Sequence, residues 1–335
     1  MNTKLSAKSA ANLDNITITE GFEPGAVGEI TALHGRYYTQ TWGLDVRFEA
    51  QIAKGLADFA LLLMEGESKP EILARNRQWV AKKDGRVVGA IGIEEDAKTK
   101  TARLRRFIVD EEVRGTGLGN RLMHLAMNFC RQAGYESVFL WTYLGLDQAR
   151  HLYEKHGFVL IEQKVQSDWG RAVIYVRFKC PLNGPNLVVE KAGADEKVAA
   201  RKIVDEYCQV VGVLHRDSEA DFKHYFEEGS GVWLAKTTDQ ETAGCIILRP
   251  LHGMEGACEV KRLYVKPQYR GLCAADSLLL ALHKAAAEMG YKWCYLDTKD
   301  DLKAAIRFYQ RHGYEDCPRY NDNEQATIFM RRSLT

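Results

Sequence analysis

The chain has 335 residues, more than one compact core ordinarily accommodates, so two domains are the starting expectation. Lys plus Arg number 46 against 45 Asp plus Glu, and a net charge of +1 gives no electrostatic reason to expect nucleic acid or an anionic membrane surface as partner. The opening MNTKLSAKSAANLDN lacks the apolar stretch of a signal peptide, and the longest apolar run of the first half, Phe59 to Met64, is far too short to span a membrane.

Residues 1–15 are expected to be a flexible tail. Ile16 to Gly21 reads as a short strand, followed by a helical stretch through Tyr37 and another from Val46 to Met64. Gln78–Lys82 and Val87–Glu94 flank Asp84-Gly85, a strong hairpin signal. Leu104–Val109 is a further strand. From Leu118 onward, Leu122, Leu125, Ala126 and Phe129 recur at helical spacing, and Gly134 supplies the stop. Ser137–Thr142 reads as strand and Leu146–His156 as helix ended by Gly157. Two strands, Phe158–Gln163 and Ala172–Phe178, close the unit.

The same order then returns. Sliding the chain by 156 residues gives 14 identities in the 55 positions 104–158 without a gap. Arg114 falls on Arg270, Gly134-Tyr135 on Gly290-Tyr291, Tyr153 on Tyr309 and His156-Gly157 on His312-Gly313. WCYLDT (293–298) is the matching strand and Leu302–His312 the matching helix. Residues 181–186, PLNGPN, are turn-rich and aperiodic, and so serve as linker between units of residues 16–180 and 187–335. Strands interleaved with helices place both units in the α/β class, with mixed (α+β) sheets.

VRGTGLGNRL (113–122) carries three glycines at the start of an amphipathic helix. A helix N-terminus offers unpaired N–H groups and partial positive charge, and missing Cβ atoms let phosphate oxygens reach them. The glycines are out of register for G-x-G-x-x-G, and Gly-Lys-Ser/Thr is absent. Taken alone, they also suit a flexible joint before a helix. Eight cysteines form no CxxC pair and no zinc-like Cys/His spacing, so structural thiols, no metal and a reducing cytoplasmic setting are expected.

FIVDEEVRGTGLGNRL resembles the R/Q-x-x-G-x-G/A motif of the GNAT superfamily, the acyl-CoA-dependent N-acetyltransferases, and HLYEKHGF resembles its second hallmark. The first unit, from HGRYYTQTWGLDVRFEA onward, is similar to the acetyltransferase domains fused behind MarR-type regulators. Residues 1–15 hold no winged-helix pattern, and a DNA-binding role is not expected to come with the resemblance. EVKRLYVKPQYRG, AAIRFYQRHGY and YNDNEQATIFMRRSL resemble another branch of the superfamily. The resemblance therefore implies two tandem GNAT domains and acetyl-CoA as acyl donor.

It also implies roles. A bulge splays two strands, so that Phe107, Ile108 and Val109 face the pantetheine arm and a backbone N–H there polarises the thioester carbonyl. Arg114, Gly115, Thr116, Gly117, Leu118, Gly119 and Asn120 cradle the pyrophosphate. Tyr153 stands at the general-acid position, to protonate the departing thiolate; as an aromatic on a helical face it also suits core packing. Glu94 or Glu95, at the end of a strand, are candidates for the base or for solvated charges, and the family also uses ordered waters. Tyr37, Tyr38, Trp42 and Trp141 are candidate walls of the acceptor site or core residues. The expected reaction is acetyl transfer to a primary amine of a small molecule by direct attack in a ternary complex. An acyl-CoA sensor without turnover, or acetylation of protein amines, stays open, as does a homodimer. In the second unit Cys273 and Ala275 replace Gly117 and Gly119; the family accepts alanine at the last position, but a cysteine at the middle one puts a side chain where the pyrophosphate should rest, which implies weak or lost CoA binding there.

Overall fold

A computed structural model describes residues 15–334 except 97, 98, 100, 168 and 215. The tail expected over 1–15 lies, apart from Asn15, outside the described residues. The chain divides into two compact units: the first runs to Phe158 and takes in Val165–Tyr175, and the second takes in Val159–Lys164 and everything from Val176.

In the first half, β1 (Ile16–Glu20) is followed by α1 (Ala26–Trp42), α2 (Val46–Glu65) and a short α3 (Pro70–Arg75) that sequence reasoning did not anticipate. β2 (Arg77–Lys83) and β3 (Arg86–Asp96) form the expected hairpin, with Asp84 and Gly85 both at positive φ, 51° and 77°. Then come β4 (Thr101–Val109), α4 (Leu118–Gln132), β5 (Ser137–Tyr143), α5 (Asp147–Lys155), β6 (Val159–Gln166) and β7 (Val173–Pro181). Strand order is β1-β2-β3-β4-β5-β7-β6. Strand alternation explains why both faces are covered: Val80 and Ala90 pack with Ile30 of α1 and Leu56 of α2, while Trp79 meets Phe129 and Gly89 lies under Leu118 and Leu122 of α4.

The second half repeats the plan with β8 (Leu187–Lys191), α6 (Lys197–Val211), α7 (Glu219–His224), β9 (Gly231–Thr237), β10 (Thr242–Pro250), β11 (Ala257–Val265), α8 (Ala274–Glu288), β12 (Trp293–Thr298), α9 (Lys303–Arg311), β13 (Glu315–Asp316) and β14 (Ile328–Ser333). Its strand order, β8-β9-β10-β11-β12-β14-β13, is that of the first half. Here too neighbouring strand residues part to opposite faces: Val232 and Leu234 join α6, whereas Trp233 and Ala235 join α8. The two halves differ most at the second helix, 20 residues in α2 and 6 in α7.

Two irregularities open each sheet. In the first, Ala90 pairs with Ile108 but Gly92 with Arg105, so Arg106 and Phe107 stand opposite the single Ile91. Arg106 takes φ 55°, a left-handed conformation costing an L-residue roughly 1–2 kcal/mol. β4 and β5 pair in parallel only at Ala102–Val138 and Arg103–Phe139; among the described residues the ladder goes no further, and the strands diverge. β10 and β11 repeat the bulge around Arg262, φ 56°.

Candidate active site

The divergence opens a cleft of about 710 Å³ in the first half. Phe107, Ile108 and Val109 line it from the bulged strand, and Arg114, Gly115, Gly117, Gly119 and Asn120 from the loop and first turn of α4. Gly115 and Gly117 have φ 82° and 92°, values that only glycine adopts without strain. A Cβ on Gly119 would stand 3.5 Å from Leu152, 3.6 Å from Phe107 and 3.7 Å from Val109, occupying the cleft itself. Arg121 N–H is the first to close the helix, onto Gly117 O at 3.0 Å, so the N–H groups of Gly119 and Asn120 precede any intrahelical acceptor. No acidic residue sits in this first turn. A diphosphate fits such a cradle on backbone chemistry alone.

Thr116 and Leu118, expected in the same cradle, do not line the cleft. Thr116 Oγ1 donates to Val113 O at 2.7 Å and accepts from Leu118 N–H at 3.4 Å, which fixes the turn. Leu118 is fully buried over Gly89, because consecutive residues of a helical turn point in different directions. Arg114 lies over the Tyr37 ring at 4.6 Å and donates to Val109 O at 3.3 Å, tying loop to strand. Asn120 Oδ1 and His156 Nε2 are 3.0 Å apart, joining the start of α4 to the end of α5.

Tyr153, on α5, is buried against Phe107 and Phe158 and hydrogen-bonds Thr142. Burial pushes its hydroxyl pKa up, so the phenol keeps its proton at neutral pH. Tyr37, Tyr38 and Trp42 line the cleft, and Trp42 Nε1 is buried with no partner among the described residues.

A second, smaller chamber of about 120 Å³ adjoins it and shares Tyr38, Phe107, Thr142 and Tyr153 as common wall. Trp141 belongs to this chamber, stacked on Tyr175 at 4.8 Å. Sequence reasoning missed its basic side chains, His34 of α1 and Arg103, Arg105 and Arg106 of β4, which line it with several aromatic and aliphatic residues. The signal was the run RLRRF inside a sheet strand, where charge is costly. His34 Nδ1 is 2.9 Å from Ile30 O; a carbonyl only accepts, so Nδ1 carries the proton and Nε2 keeps its lone pair. Burial holds the His34 pKa down at about 4, with Arg106 adding to the effect.

Glu94 lines neither space. Its carboxylate accepts from Arg105 Nη1 at 2.8 Å and lies 3.7 Å from Arg106 Nη2. Glu95 is further off, paired with Arg75 at 2.9 Å.

The second half keeps a cleft of about 640 Å³ at the equivalent splay, lined by Leu263, Arg270, Ala275 and Tyr309 among others. Cys273 does not obstruct it as expected. It takes a left-handed φ of 58°, in the same positive-φ range as Gly117 at 92°, and its side chain is buried and does not line the cleft. What has changed is charge: Asp276 stands in the first turn of α8, held by Arg311 and His312, where α4 has Asn120. A carboxylate there offsets the helix dipole that a phosphate would use.

Among the described residues no cluster of His, Cys, Asp or Glu suits a metal ion, and no helix is long and apolar enough to cross a membrane. An uncharacterised N-acetyltransferase of Schizosaccharomyces pombe is 31% identical over 142 residues, 40% of this chain and 86% of that protein. The uncharacterised N-acetyltransferase YjgM of Escherichia coli is 36% identical over 28% of this chain and 56% of its own length. N-acetylaspartate synthetase of Xenopus tropicalis is 34% identical over 24% of this chain and 30% of that protein. Among solved structures, a GNAT-family acetyltransferase from Staphylococcus aureus Mu50 aligns over 45% of this chain and all of its own, at 21% identity and TM-score 0.41. The yncA protein of Salmonella typhimurium, solved with acetyl-CoA, aligns over 52% and 97% at 17% identity and TM-score 0.39. The pattern of the acetyltransferase (GNAT) family matches residues 47–158 and again 200–314. Each match takes in a bulged strand and the helix start that follows it, so the chain belongs to the acetyltransferase (GNAT) family, as an acyltransferase built from two of its domains in tandem.

Proposed function

We propose that the first half carries the chemistry, transferring the acetyl group of acetyl-CoA to a primary amine of a small molecule, an amino acid or amine metabolite, by direct attack in a ternary complex. One observation carries this reading: a long cleft with a phosphate cradle and a separate small chamber share a wall that includes Tyr153 and Phe107. Donor and acceptor can then meet there without a covalent enzyme intermediate. Cys130, on α4, is fully buried and lines neither space, which agrees with that route.

The backbone N–H groups from Gly115 to Asn120 hold the diphosphate, with Thr116 and Leu118 contributing main chain only. The bulged strand Phe107–Val109 lies along the thioester arm, and a main-chain N–H at the bulge polarises the carbonyl. Tyr153 Oη–H donates its proton to the departing thiolate, and the proton shed by the attacking amine returns through water to restore the phenol. Glu94, engaged by Arg105, positions that arginine instead of accepting the amine's proton. The synthetase named for N-acetylaspartate is a relative whose name points to an amino-acid acceptor, and it supports a small acceptor here.

Thiol release from acetyl-CoA by the full chain, over a panel of amines and amino acids, tests the proposal. Release by wild type that falls at least 100-fold in Tyr153→Phe is expected. A panel without Tyr153-dependent release returns the chain to an acyl-CoA-binding role.

A further inference from the structure

We propose that the acceptor of the first half carries a carboxylate, bound in the small chamber by Arg103 and Arg106. The proposal rests on the reading that acetyl transfer takes place there.

Three arginines among four consecutive residues of β4, Arg103, Arg105 and Arg106, line this chamber. The bulge makes that possible: a Cβ built on Gly55 of α2 would meet Arg105 Nη2 at 3.5 Å and Arg106 Nη2 at 3.8 Å, so two adjacent residues reach one side of the sheet. Against three cations stands one close carboxylate, Glu94, shared between Arg105 at 2.8 Å and Arg106 at 3.7 Å. Arg103 forms no ion pair among the described residues; Glu94 and Asp96 act on it only at longer range, and its guanidinium lies 6.0 Å from the Phe139 ring centre. Arg106 has a side chain 3% exposed. Its Nη2 donates to Gly55 O at 2.6 Å, but its Nη1 is buried with no partner among the described residues. His34 is neutral here and adds no compensation. Burial lowers the pKa of both Arg103 and Arg106, the latter to about 10, as expected for cations short of a counter-ion.

The second half supplies the contrast. At the positions of Arg103, Arg105 and Arg106 it has Glu259, Lys261 and Arg262. Lys261 pairs with Glu259 at 3.3 Å and Asp297 at 3.2 Å, and Arg262 bonds Asp217 through two nitrogens at 2.9 Å. Asp297 stands where the first half has Trp141. One copy of the fold thus balances its charges internally, and the other leaves two positive charges over. An unpaired buried guanidinium N–H is expensive, and a carboxylate matches its fork geometry better than water does. With ~30 Å³ per water, 120 Å³ is room for about four waters, enough for a carboxylate and a short side chain. The amine would then lie toward the wall that holds Tyr153.

The test uses the full chain, acetyl-CoA, the twenty amino acids, their carboxamides and their decarboxylated amines. The carboxamide has the less basic amine, more often neutral, and so wins if amine availability alone decides. We expect at least one amino acid to exceed its carboxamide and its amine tenfold or more in kcat/KM. Arg103→Gln, a change at a partly buried strand position, should shrink the ratio of acid to carboxamide kcat/KM at least tenfold, mainly by raising KM for the acid. Carboxamides or amines that match the acids overturn the carboxylate proposal and leave acetyl transfer standing. So does a faster reaction of phenethylamine with succinyl-CoA than with acetyl-CoA, which would assign the anion to the acyl chain. If nothing turns over, calorimetric titration with N-acetyl amino acids decides: binding lost in Arg103→Gln supports the anion site while the catalytic reading fails, and no binding overturns both.

Discussion

Replacing Tyr153 by Phe removes one oxygen at the wall shared by cleft and chamber. General acid catalysis is worth about 10²–10⁴ in rate, equivalent to about 3–5 kcal/mol at 1.36 kcal/mol per tenfold. The lost hydrogen bond to Thr142 costs about 1 kcal/mol of folding stability, and the ring itself stays packed against Phe107 and Phe158. The two effects therefore separate. In a steady-state assay of thiol release, kcat should fall 10²-fold or more while KM for acetyl-CoA changes less than threefold, since the phosphate cradle is built by other residues. Thermal unfolding should show only the small stability loss. Because burial raises the hydroxyl pKa, Tyr153 is protonated throughout the neutral range, so the deficit should be the same from pH 6 to pH 8. A kcat within twofold of wild type would refute the general-acid role. A kcat that falls only in step with loss of folded protein would make Tyr153 a packing residue.

Gly119→Val should place methyl groups among Leu152, Phe107 and Val109 and raise KM for acetyl-CoA at least tenfold with little loss of stability; an unchanged KM would move the phosphate site elsewhere. Calorimetric titration of the full chain with CoA should give one site per chain, because Asp276 occupies the first turn of α8; two sites of equal affinity would refute that electrostatic argument. His34 contributes a pH-dependent stability. Its folded pKa of about 4 lies below the unfolded 6.5, so the unfolded chain takes the proton first as pH falls, and stability present above pH 6.5 is lost down to about pH 4. The loss amounts to about 3 kcal/mol. Urea unfolding of wild type and His34→Gln at pH 7 and pH 4.5 should show this step in wild type alone; parallel curves would disprove it.

Much was legible from residue order alone, and the reason is locality. Asp84-Gly85 dictates its hairpin because adjacent positive φ values suit few other pairs. WCYLDT becomes β12 with the anticipated bounds. The glycines after Arg114 form a helix entrance open to phosphate because what matters there is the absence of Cβ atoms, which the sequence states directly. Comparing the chain with itself carried the duplication and, through it, the common strand order of both sheets.

The small chamber was not legible, since it assembles side chains from α1, α2, β4, β5, α5 and β7 that no spacing rule connects. Strand alternation assigns Arg105 and Arg106 to opposite faces; the bulge brings both to Gly55. Glu94 reads as a free carboxylate at a strand end until the fold sets Arg105 beside it. Cys273 reads as an obstruction until the backbone is seen to keep the left-handed turn with the side chain buried. Turns, periodicity and the phosphate-ready helix start are properties of neighbouring residues, so the sequence determined them. Which charges meet, and which are left without a counter-ion, depends on distances between segments far apart in the chain, and only the tertiary structure decided it.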